Sequence, residues 1–227
     1  MDNPEAEVGR EEAKQRRTLN KAFALALKKQ LKGSAWRTSQ GVLFRDLDGW
    51  FISAPAAVWV LRRKSTVTLM CKPMSLDPLF WEIVEAEPNA QMPLSFRYFG
   101  SWTCKTPPLV EYDIDEGSAD PATIAAEAIA WLDGQIDQFK SWSPEHFFSL
   151  LKQHPWTDSY FATVVTTMFL LGEYVPAELL CREAVKRGDS GGFSVGRKTG
   201  PDQSFPELAL NWLDRKRGVG ALQPSLE

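Results

Sequence analysis

From Thr18 onward apolar residues recur at three- and four-residue steps: Leu19, Phe23, Ala26, Leu27 and Leu31 share one side, with Lys21, Lys28, Lys29 and Lys32 elsewhere. That period predicts an amphipathic helix, ended by Gly33. The texture then changes. Trp36-Arg37-Thr38, residues 41–45 and residues 50–53 are β-rich, and Asp46-Leu47-Asp48-Gly49 between the last two signals a hairpin. Strands are expected again at residues 57–62, 66–71, 94–99 and 109–114, with a short helix from Asp77-Pro78 between them, Asp77 serving as its cap. Pro107-Pro108 fixes a turn. Strands this closely spaced, with no crossover helix between most of them, pair antiparallel.

After Glu116 the period is helical throughout. Asp120-Pro121 opens a helix with Ile124, Ala128, Trp131, Leu132, Ile136 and Phe139 on one face. Ser143-Pro144-Glu145 opens another, residues 157–171 form a third stopped by Gly172, and residues 176–187 a fourth stopped by Gly188. Ser204-Phe205-Pro206-Glu207 fits a capping box and opens a fifth. Between the last two lies a glycine-rich polar loop, residues 188–203. The expected fold is α+β: an N-terminal helix on an antiparallel sheet of about five strands, then a C-terminal α-helical bundle. The expected division is a disordered tail over 1–17, an α+β subdomain over 18–117, a helical subdomain over 118–218 and a second tail over 219–227.

Composition adds bounds. The chain has 227 residues, 44% hydrophobic and 24% charged, enough apolar side chain for a real core. Net charge is −3, and neither half is strongly polarised, which speaks against a dedicated nucleic-acid surface. Cys71, Cys104 and Cys181 are dispersed and odd in number, a pattern of reducing compartments rather than disulfide frameworks. The charged N-terminus lacks the apolar segment of a secretory signal, and the longest apolar stretches fall short of a membrane span. The expected protein is cytoplasmic, without membrane or nucleic-acid partners.

Two strings resemble active sites. Gly188-Asp189-Ser190-Gly191-Gly192 carries the letters around a serine-protease nucleophile, but it follows a helix, and His146 and His154 both lie in helical sequence. A glycine helix stop and turn is the expectation. Gly191 and Gly196-Arg197-Lys198-Thr199 fall one residue short of a phosphate-binding loop, with no strand feeding them. The two histidines are too far apart to share a metal, and no set of ligands completes a zinc site. Glu111, Asp113 and Asp115 would face one side of a strand, an arrangement also suited to a carboxylate hydrolase with a divalent metal. No catalytic residue, metal ligand or cofactor is assigned.

Two stretches resemble known families. Met168 to Gly172, Tyr174, Ala177, Leu179-Leu180 and Ala184 resemble the turn of one tetratricopeptide-type helical hairpin, with no second copy at the expected period. Leu19-Asn20-Lys21-Ala22-Phe23, Leu27, Leu31-Lys32-Gly33, Trp36-Arg37 and Phe44-Arg45 resemble an uncharacterised bacterial domain family of an opening helix and antiparallel meander, found among toxin-immunity proteins. That resemblance implies binding rather than catalysis: a non-enzymatic module whose partner is another protein, a cognate toxin being the implied one. Trp102, Trp142 and Trp156 are candidate aromatic anchors, and Asp113, Asp115 and Glu116 candidates for meeting a basic surface. A structural or adaptor component of a larger assembly, and a hydrolase using Glu111 and Asp113, remain the alternatives.

Overall fold

A computed structural model of the chain describes residues 4–59, 64–100, 102–115, 120–154, 158–196 and 201–220. The α+β class holds: a five-stranded antiparallel sheet accompanies several helices. The chain groups into two compact units, each built from two separated segments, Met1–Cys71 with Pro108–Ser141 and Lys72–Pro107 with Trp142–Glu227. Compactness thus does not follow one cut near residue 117.

The first unit opens with α1 (Pro4–Gln30), which starts well before Thr18 and runs through the stretch expected to be a tail. Residues 5–17 are mostly Glu, Ala, Lys, Arg and Gln, all strong helix formers, and Glu11 pairs with Lys14 at 3.7 Å along the same face. Strands β1 (Arg37–Ser39), β2 (Val42–Leu47) and β3 (Trp50–Trp59) form a meander. Both connections are two-residue turns, Gln40-Gly41 and Asp48-Gly49, with positive φ at all four positions. This is the turn whose twist matches paired strands, and glycine in second place carries it without strain. The expected strand at 50–53 and the described part of the one expected at 57–62 form one strand, β3; residues 60–62 of that expectation lie outside the described ones. Ladder pairing passes on to β4 (Lys64–Pro73) and then β5 (Val110–Asp115), in the order β1-β2-β3-β4-β5.

In β4 the residues Ser65, Val67, Leu69 and Cys71 are buried in strict alternation. Helix α4 (Pro121–Gln135) starts where Asp120 accepts the amides of Ala122 and Thr123, with Pro121 in the first turn. Its buried side, Ile124, Ala125, Ala128 and Leu132, packs along α1, and the two small alanines let the helices approach. Trp36 donates its indole N–H to Asp133 at 2.9 Å, and Tyr112 stacks on Trp131 with ring centres 5.0 Å apart. Phe23, Leu27, Leu43, Phe51, Ile52, Ile114 and Phe139 fill the core of this unit.

The second unit holds α2 (Leu76–Ile83), α3 (Phe96–Phe99), α5 (Pro144–Gln153), α6 (Asp158–Leu170), α7 (Tyr174–Arg187) and α8 (Phe205–Gly220). Residues 94–99, expected as a strand, are a turn and the single-turn helix α3. The amides of Phe96 and Arg97 bond to the carbonyls of Pro93 and Leu94, so the backbone is satisfied locally and the apolar alternation carries no ladder. Helix α6 ends in a Schellman turn, with Gly172 in the left-handed region at φ 76° and Glu173 N–H donating to Met168 O. Helix α7 ends the same way at Gly188. The loop expected from 188 to 203 is partly ordered by a small hairpin, β6 (Ser194–Val195) with β7 (Gln203–Ser204). Of the expected capping box the glutamate half is in place: Glu207 accepts both the amide and the hydroxyl of Ser204, at 2.8 and 2.7 Å. Phe80, Phe147, Phe205, Val165 and Leu76 are fully buried here.

Candidate docking groove

In the second unit three helices and the start of a fourth converge on an open groove of about 650 Å³. Leu79 and Glu82 come from α2, Phe169 and Leu170 from α6, Tyr174 from α7, and Trp212, Leu213, Lys216 and Arg217 from α8. The placement follows from helical spacing. Trp212, Leu213, Lys216 and Arg217 sit at i, i+1, i+4 and i+5, which puts two apolar rings or chains one turn before two cations on the same side. Trp212 packs against Phe169 at 4.9 Å, and Phe169 lies 6.0 Å from Tyr174.

The polar end is organised by two carboxylates. Glu82 meets Lys216 at 2.7 Å, and Lys216 also lies 5.4 Å from the Trp212 ring centre. Burial pushes the Glu82 carboxyl up, but Lys216, the Trp212 indole and Arg215 together hold it below its ordinary value. The Trp212 Nε1 itself is buried without a hydrogen bond of ordinary geometry. Glu178, on α7, accepts Arg182 at 2.9 and 2.7 Å through one oxygen and Arg217 at 2.5 Å through the other. These two guanidiniums hold the Glu178 carboxyl below its usual range.

Beside the groove, α7 turns apolar residues outward. It buries the small stripe Ala177, Cys181 and Ala184, so Val175 and Leu179 fall on the far side, 65% and 59% exposed, next to Tyr174 at 44%. A side chain so placed gains nothing from the fold. This surface went unassigned in the sequence reading, although the phase was legible: Val175, Leu179, Arg182 and Lys186 repeat at helical spacing out of step with the small buried stripe.

The anchors expected from sequence fall elsewhere. Trp102 lines a second, smaller groove of about 420 Å³ in the same unit, with Glu85, Pro88 and Phe96, and its ring meets Phe193 edge-on at 5.6 Å. Trp142 lies against His146, ring centres 4.7 Å apart, just before α5. Asp113 belongs to the first unit, in β5, where it accepts the Thr66 hydroxyl at 3.1 Å. Register sets Glu111, Asp113 and Asp115 opposite Thr68, Thr66 and Lys64, one face of the strand. Glu116, Trp156 and the Asp115 side chain lie outside the described residues, as do Arg197, Lys198 and Thr199. Trp102 and Trp142 therefore share a unit with each other and not with Asp113.

One ionic cluster is buried. Asp77, expected as a helix cap, instead occupies the second position of α2 and points inward, with Ser75 at the cap position. Its Oδ1 accepts Lys72 Nζ at 2.8 Å, the Thr103 hydroxyl at 2.9 Å and the Cys104 amide at 3.0 Å; Oδ2 accepts Arg97 at 3.1 Å. The Lys72 ammonium also reaches the carbonyls of Arg97 and Cys104. Burial lowers the Lys72 pKa, and the Asp77 charge opposes that without cancelling it. Asp77 and Lys72 each meet several protein groups, and those bonds fasten residues 96–104 to α2. The Gly188-Asp189-Ser190-Gly191-Gly192 string is likewise a turn. The Asp189 carboxylate accepts the Gly191 amide at 2.8 Å, and Ser190 O accepts the amides of Phe193 and Phe205.

Among the described residues no three His, Cys, Asp or Glu side chains are placed to hold a metal ion, and no helix is long and apolar enough to cross a membrane. Comparison with protein families, with curated proteins and with solved structures gives no match.

Proposed function

We propose that this chain is a non-enzymatic protein-binding module and that the α7–α8 groove of its second unit is the docking surface. One observation carries the reading: among the described residues α7 turns Val175 and Leu179 outward, 65% and 59% exposed, and places Tyr174, 44% exposed, at the edge of the groove. Aromatic residues at such a surface supply anchors, and the charged residues at its edge supply orientation. The resemblance of the N-terminal half to toxin-immunity domains supports a cognate toxin as the partner, blocked by occlusion.

The test is co-expression with the product of the adjacent open reading frame, followed by affinity capture, for the parent and for Val175→Glu/Leu179→Glu. A stable complex that the double substitution abolishes, with the melting curve unchanged, supports the reading. A complex indifferent to the substitution moves the docking surface elsewhere. No complex with any genomic neighbour removes the immunity reading.

A further inference from the structure

The geometry points to a conformational device in the second unit: residues 87–103 form a strap, clasped by Lys72, Asp77 and Arg97, that opens as one piece while the helices of the unit stay folded. The inference stands apart from the docking reading, since none of these residues belongs to α7 or α8.

The strap has little apolar hold of its own. None of its described residues is buried, whereas α2 buries Leu76, Phe80, Trp81 and Ile83, and α6 buries Phe161, Val164, Val165 and Met168. Phe96 lies 6.1 Å from the Trp81 ring, and Trp102 meets Phe193 edge-on at 5.6 Å, all that its rings give up on leaving. Among the described residues the strap's backbone bonds are local. The amides of Met92, Phe96, Arg97, Tyr98 and Gly100 donate to the carbonyls of Asn89, Pro93, Leu94, Ser95 and Phe96. Detaching the strap therefore breaks no helix or ladder outside it. A single turn such as α3 does not hold by itself in water, so a detached strap loses its amide protection.

What holds the strap is polar and concentrated. Arg97 reaches Asp77 at 3.1 Å and the Met74 carbonyl at 2.9 Å, and the Thr103 hydroxyl reaches Asp77 at 2.9 Å. Lys72 donates to the Arg97 carbonyl at 2.8 Å and to the Thr103 hydroxyl at 2.6 Å. The Trp81 indole donates to the Trp102 carbonyl. These partners all fall within residues 72–81. Cys104 closes the far end, its amide on Asp77 at 3.0 Å and its carbonyl on Lys72 at 2.8 Å. Opening exchanges each bond for one to water, and the three charges regain hydration, which offsets much of the lost pairing. Unfolding the helices has no such return, because it exposes their apolar core. The strap thus opens at lower cost than the unit unfolds.

Native-state hydrogen exchange on the full chain tests this, read by mass spectrometry on peptides covering residues 96–104 and 164–169. After correction for intrinsic rates, the 96–104 amides should exchange more than about tenfold faster than those of α6. Ala184→Gly weakens α7, which packs on α6 and α8. It should speed residues 164–169 by about fivefold and leave 96–104 unchanged. Asp77→Asn breaks the clasp and should speed 96–104 by about a hundredfold. Thr103→Val removes one hydroxyl from the clasp and gives the same reading, at about fivefold, should Asp77→Asn fail to fold. Equal exchange of the two segments, both answering to Ala184→Gly, overturns the inference, because the strap then leaves only with the whole unit. Exchange of 96–104 that ignores the clasp substitutions overturns the clasp.

Discussion

Asp77→Asn is the substitution with the most to say about how the second unit holds together. It keeps the side chain's shape and removes only the charge. Asp77 is fully buried and meets two cations, Lys72 at 2.8 Å and Arg97 at 3.1 Å, the first itself almost wholly enclosed. Neutralising Asp77 takes away the carboxylate that faces both cations. Removing one partner of a buried pair costs about 3–5 kcal/mol. The Thr103 hydroxyl and Cys104 amide keep a weaker acceptor in the asparagine, so the lower end of that range is expected. Against a total stability of about 5–15 kcal/mol this is a large fraction. In urea, with a slope of about 2 kcal/mol per molar, the midpoint should fall by about 1.5 M. Tryptophan emission follows it directly, because Trp81 donates to the Trp102 carbonyl at 2.5 Å and its ring lies 5.4 Å from Arg97. Lys72→Met should cost less, since Arg97 still faces the carboxylate. The double variant should cost less than the two singles combined, by about 1–3 kcal/mol. A loss under about 1 kcal/mol in Asp77→Asn with unchanged slope, or strict additivity in the cycle, refutes the claim that charge pairing fastens residues 96–104 to α2.

Three further outcomes are expected. Gly191→Ala and Gly188→Ala both place alanine at positive φ, which costs about 1–2 kcal/mol, but only Gly191 adds a collision, its new Cβ falling 2.6 Å from the Phe161 ring; thermal melts should therefore rank Gly191→Ala clearly below Gly188→Ala, and equal melts contradict the packing. Asp120 caps α4 and its carboxyl is held below the ordinary 3.8 by the Thr123 hydroxyl and the amides of Ala122 and Thr123. Because the folded value is the lower one, its contribution is present above about pH 4 and fades as pH falls through the folded value, so parent and Asp120→Ala should differ in melting temperature at neutral pH and converge in acid. Cys71, Cys104 and Cys181 are buried, and burial raises all three thiols, Cys181 to about 12; an aromatic disulfide reagent should leave them untouched in the native protein and titrate all three in urea.

What the sequence determined by itself was local. Asp-glycine turn chemistry, proline after a capping acid, and glycine after a helical run are each decided by a few neighbouring dihedrals, so Asp48-Gly49, Asp120-Pro121, Gly172, Gly188 and the glutamate of the Ser204–Glu207 pair could be read from the string, and with them the α+β class and the order of most elements. The start of α1 was misread because charge was weighed above helix propensity. Residues 94–99 were misread because alternation is equally compatible with a half-buried turn once Pro93 and Leu94 supply the hydrogen-bond acceptors. Only tertiary structure decided where polar groups find their partners. Asp77 abandons a cap for Lys72, Arg97 and Cys104, which lie 5 to 27 residues away in sequence and carry no mark of that meeting. The groove is of the same kind: Leu79, Phe169, Tyr174 and Trp212 come from four helices, and nothing in the string marks that they meet. Apolar period says which face of a helix avoids water, but only the other helices decide whether that face is filled.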